Sequence, residues 1–112
     1  MAIVNVDYSS LDFDEMAAAI GLKSKHMPIL VGSYLDEAKR ILLKIEVAVS
    51  ENNYEDLKLQ AHSLKGSSGN LKFNEIYEMT KEMEFAASKS NTSFEYVKYL
   101  EAIKSAIGTI PT

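Results

Sequence analysis

The chain has no cysteine and no tryptophan in 112 residues, and only two prolines, five glycines and two histidines. Without cysteine there are no disulfides and no thiolate metal site. Two histidines far apart in sequence, with no clustered carboxylates, do not form a metal site. Positive charge is also scarce: 12 Lys and Arg against 16 Asp and Glu leave a formal net charge of −4. That balance argues against nucleic-acid binding through a basic surface. No apolar run approaches the roughly 20 residues a membrane-spanning helix needs. Met1-Ala2-Ile3-Val4-Asn5 lacks the basic flank and apolar core of a signal peptide. The expectation is a cytoplasmic protein with no membrane contact. No glycine-rich phosphate loop, Walker lysine or Ser/His/Asp set is present.

What is present is helical periodicity. Asp12 caps a short first helix, with Glu15 at capping-box spacing, Met16, Ala17 and Ile20 as its apolar face and Gly21 as its stop. A long second helix is expected from about Ser24 to Ser50, with Ser24 as cap and Pro28 near its first turn. Leu30, Val31, Tyr34, Leu35, Ala38, Ile41, Leu42, Ile45, Ala48 and Val49 recur at helical spacing. On its polar face Asp36 and Arg40 stand four apart and can pair. Asn52 or Asn53 caps a third helix ending near Leu71, and Asn74 caps a fourth. Thr92 and Glu95 form a capping box for the last helix, whose inner face is Phe94, Val97, Leu100, Ile103 and Ile107. Met16, Met79 and Met83 read as core. No stretch alternates like a strand. The expected fold is all-α: an up-down antiparallel four-helix bundle with a short additional N-terminal helix. Residues 1–11 form an irregular lead-in and residues 12–110 the single domain.

The third helix carries the chemistry, in Gln60-Ala61-His62-Ser63-Leu64-Lys65-Gly66-Ser67-Ser68-Gly69. On a helical wheel Leu57, Ala61, Leu64, Ser68 and Leu71 share the core stripe. His62 lies about 140° from Leu57 and points to solvent. Lys65 follows one turn later on its side, and Leu59 precedes it. Gly66 and Gly69 fall on this exposed side, where no close packing within the protein is expected. A mid-helix glycine costs about 1 kcal/mol relative to alanine. A face stripped of side chains around an exposed histidine suggests that something large approaches it.

Ala61-His62-Ser63-Leu64-Lys65-Gly66 resembles the signature of histidine phosphotransfer (HPt) domains of two-component phosphorelays: a histidine, a small hydroxyl residue, an apolar residue, then Lys-Gly. The resemblance covers nearly the whole chain in helix order. It departs after Leu71, where the family usually has glycine and this chain has Lys72; Asn70 is then the candidate for the left-handed turn. The resemblance implies that His62 accepts a phosphoryl group and exchanges it with the aspartate of a response-regulator receiver domain. The receiver supplies Mg²⁺ and most of the catalysis, and a histidine kinase or hybrid kinase is a further partner. Lys65 stabilises phosphoryl charge. Glu84, 22 residues after His62, is placed to orient the imidazole. Leu59, Ser63, Gly66 and Gly69 are the expected docking residues. His26, with no motif around it, reads as a surface or end-packing residue. The chain is expected to be a monomeric phospho-carrier with no cofactor and no ATP site of its own. The alternative is a helical interaction module that binds a receiver or kinase without transferring phosphate.

Overall fold

Asp12 accepts backbone hydrogen bonds from Asp14 and Glu15 and so starts α1, Phe13–Ile20, which buries Met16 and Ala17. Gly21, at φ 72°, closes it in the left-handed conformation. The structure, a computed structural model, describes residues 3–111; Met1 and Ala2 of the lead-in lie outside the described residues. The second long helix does not start at Ser24. Ser24–His26 form a 3-10 turn, and α2 runs Met27–Ser50 with Pro28 in its first turn. Proline lacks an N–H, so this shift puts it where no intrahelical donor is needed. α3 is Tyr54–Asn70, α4 is Asn74–Ser88 and α5 is Tyr96–Gly108. The described chain is all-helical: a four-helix bundle with the short α1 added at its N-terminal side.

The core is one cluster. Val31, Ile45, Leu57, Leu64, Ile76 and Ile103 are fully buried within it. Among its polar members, Tyr34 and Ser68 share a 2.8 Å hydrogen bond between hydroxyls across α2 and α3. Burial pushes the Tyr34 phenol up to about 12, so it stays neutral. The described part of the lead-in has no helix or strand, yet Ile3, Val6, Tyr8 and Leu11 pack on the core. The Tyr8 hydroxyl donates to Glu75 Oε1 at 2.8 Å, and its N–H donates to Thr109 Oγ1 at 2.9 Å.

Two later helix starts also differ from expectation. Asn74 is the first residue of α4, and Phe73 precedes it in the cap position with no side-chain bond. Phe73 is 1% exposed, and burying a phenylalanine is worth roughly 2 kcal/mol. That outweighs a cap worth about 1 kcal/mol. The Thr92 capping box does not form either. Asn91 instead accepts from the Ser93 N–H, and α5 begins four residues later than Thr92. The shorter helix turns Tyr96 and Tyr99 inward and leaves Val97 59% exposed.

The turns between long helices share one device. Asn52, Lys72 and Ser90 all have positive φ, and each lies just past a helix end. After α3 the Phe73 N–H donates to Ser68 O at 3.0 Å and the Lys72 N–H to Gly69 O at 3.1 Å. These are the two bonds of a Schellman motif. Asn70 therefore stays helical, and Lys72 itself takes the left-handed position at φ 64°. A residue with a Cβ pays about 1–2 kcal/mol there. Lys72→Gly should relieve it, with part of the gain lost to the freer unfolded chain. We expect a net gain of about 0.5–1 kcal/mol, read as a higher midpoint in urea. A lower midpoint would show that the lysine stem contributes packing that outweighs its backbone cost.

Candidate functional site

α3 and α4 lie antiparallel with a fixed register. Stepping seven residues along α3 from His62 reaches Gly69, and stepping seven back along α4 from Glu84 reaches Tyr77. Both pairs meet. His62 Nδ1 is 2.9 Å from Glu84 Oε2. A Cβ on Gly69 would lie 3.1 Å from Tyr77 Cδ2 and 3.3 Å from Cε2. The glycine thus leaves room for the Tyr77 ring to pack against α3.

Glu84 holds two side chains at once. Its second oxygen is 2.6 Å from Lys65 Nζ. Burial raises the Glu84 carboxyl, but the hydrogen bonds from Lys65 and His62 outweigh it and hold it below the usual carboxylate range. The bond to Glu84 in turn lifts the Lys65 ammonium above the ordinary lysine value. An ionised carboxylate only accepts hydrogen bonds. The proton between His62 and Glu84 therefore sits on Nδ1. In the neutral ring Nε2 then carries the free lone pair, and His62 is 67% exposed. The arrangement can present a nucleophilic nitrogen to a partner's surface.

The expected site residues divide into two groups. Leu59, His62, Ser63 and Gly66 share the exposed face of α3; Leu59 is 54% exposed, and a Cβ on Gly66 would meet nothing within 4 Å. Lys65 and Gly69 turn toward α4. Gly69 serves the contact with Tyr77, so the reading that no close packing asks for it is corrected. Lys65, only 23% exposed, is paired rather than solvated. Sequence reasoning missed the link between Lys65 and Glu84, although a residue one turn after His62 must share the same neighbour on α4. It also missed Ser67, whose hydroxyl donates to Glu37 on α2, and the 65% exposure of Phe85 beside Glu84. His26 sits in the 3-10 turn and is exposed. Among the described residues no group of three or more His, Asp or Glu side chains could hold a metal ion.

Residues 29–110 match the family model of the Hpt domain. The chain belongs to the Hpt domain family. Comparison with curated proteins and with solved structures finds no match. Membership carries a phosphotransfer role in two-component signalling, as a phospho-carrier module that interacts with receiver domains and histidine kinases. This Hpt domain has no described helix long and apolar enough to cross a membrane.

Proposed function

We propose that this Hpt domain accepts a phosphoryl group on His62 Nε2 and exchanges it with the aspartate of a receiver domain in the cytoplasm. The observation that carries the reading is the hydrogen bond from His62 Nδ1 to an ionised Glu84 on a face left open by Gly66. The Nε2 lone pair attacks phosphorus of the aspartyl phosphate. A P–N bond forms, the P–O bond to the aspartyl carboxyl breaks, and its electron pair leaves on the carboxylate. The ring keeps its Nδ1 proton and becomes cationic, and Glu84 offsets that charge. Lys65 moves from Glu84 to the phosphoryl oxygens, where charge is spread in the transition state. Mg²⁺ is held on the receiver's side, and the kinase or receiver supplies the rest of the catalysis. The decisive experiment incubates the protein with phosphorylated receiver domains and follows intact mass without acid. Gain of one phosphoryl group by this chain, with loss from the receiver, is expected. Complex formation without transfer would leave a non-transferring interaction module.

Gly66 separates docking from folding. With nothing near its missing Cβ, Gly66→Ala should stabilise the helix by up to about 1 kcal/mol, and Gly66→Gln by most of that. Both should slow transfer from a receiver, Gln more than Ala because it is larger. At Gly69 the Tyr77 ring opposes the same gain. Calorimetric melting and transfer rates check the pair of signs. A Gly66→Gln protein that melts higher and transfers at the parent rate would remove Gly66 from the docking surface.

A further inference from the structure

The solvent face of α2 carries two residue pairs at matched positions along the helix. Ile29, Leu43 and Val47 are 73%, 62% and 54% exposed on it. Asp36 and Arg40, expected to pair with each other, are exposed and form no ion pair among the described residues. Gly32 lies on the same face, mid-helix, and a Cβ there would meet nothing within 4 Å. Its cost of about 1 kcal/mol therefore has no packing reason inside the chain. Ile29 and Val47 stand nine residues either side of Ala38, and Asp36 and Arg40 two either side. At about 100° per residue Ile29 and Val47 also share one angular position, with Asp36 and Arg40 about 40° apart.

We propose that this face binds the same face of a second copy, the two α2 helices running antiparallel across a two-fold axis at the level of Ala38, whose own side chain is buried on the opposite side of the helix. A two-fold contact must be self-complementary. Ile29 then meets Val47 of the second copy, and Asp36 meets its Arg40; each contact occurs twice. Leu43 of one copy falls one residue from Gly32 of the other, on the same side, and fills the space the glycine leaves. The sequence alone suggests a monomer because each of these residues looks ordinary by itself. One helix against one helix buries less than the roughly 800 Å² per partner of a standard interface, so the dimer is weak and reversible. Sedimentation equilibrium from roughly 10 µM to 1 mM covers the affinity such an interface allows. The parent should rise from one chain mass toward two. Asp36→Arg or Arg40→Asp alone sets like charge against like and should weaken association at least about tenfold. The double variant Asp36→Arg/Arg40→Asp restores opposite charges and should recover it. Gly32→Ala should melt higher yet associate less. A parent that stays monomeric throughout overturns the proposal, and slower transfer from a receiver in the same charge variants would assign the face to that receiver. Failure of the double variant to recover association overturns the antiparallel register.

Discussion

His62→Gln is expected to abolish phosphoryl acceptance while leaving the fold intact. The side chain is 67% exposed, so its loss removes little burial, and exposed substitutions usually shift stability by about 0.5 kcal/mol or less. Glutamine has no ring nitrogen with a lone pair to attack phosphorus, so no slower version of the same reaction remains. His26→Gln is the matched control. His26 lies in the 3-10 turn before α2, and none of the described carboxylates hydrogen-bonds its ring. It should accept phosphate at the parent rate. Intact mass after incubation with a phosphorylated receiver reads both. Phosphate on the His62 variant would move the acceptor elsewhere and end the assignment.

The face around His62 was legible because it depends on one helix. Wheel geometry places Leu59, His62 and Gly66 outside and Leu57, Ala61 and Leu64 inside without any knowledge of the neighbours, and the structure has them so. Gly69 was not legible. Its environment is the Tyr77 ring on another helix, and only the α3–α4 register brings them together. Pairing of Lys65 with Glu84 escaped for the same reason. Helix existence followed from periodicity, but three starts did not, two of them because capping competes with burial. At Asn74 the local cap lost to Phe73, and at Thr92 it lost to Tyr96 and Tyr99. At Lys72 the Schellman bonds and the buried Phe73 that follows fix a left-handed residue whatever its type.

Glu84→Ala and Glu84→Gln should separate the two tasks of the residue that joins the site. Alanine removes the acceptor for Nδ1–H and the partner of Lys65 together. A hydrogen bond to a charged group is worth about 1.5–3 kcal/mol, so transfer should slow by roughly tenfold to a hundredfold. Glutamine keeps an oxygen that can accept from Nδ1 and so keeps Nε2 free, but it lacks the charge that offsets the phosphorylated ring. Its rate should fall between those of the parent and Glu84→Ala. The stability effect is smaller, about 1 kcal/mol at most, since the bridge is partly exposed. It also has a sign that pH reveals. Folding lowers the Glu84 carboxyl below its ordinary value of 4.5, so its stabilisation is fully present above that pH. It is lost as pH falls through the lowered value, because the unfolded chain binds the proton first. The gap in melting temperature between the parent and Glu84→Gln should therefore be open at neutral pH and close well below pH 4.5. A gap that persists in acid would trace the stability to packing of the side chain. Equal transfer by all three proteins at neutral pH would show that His62 needs no partner to hold its proton.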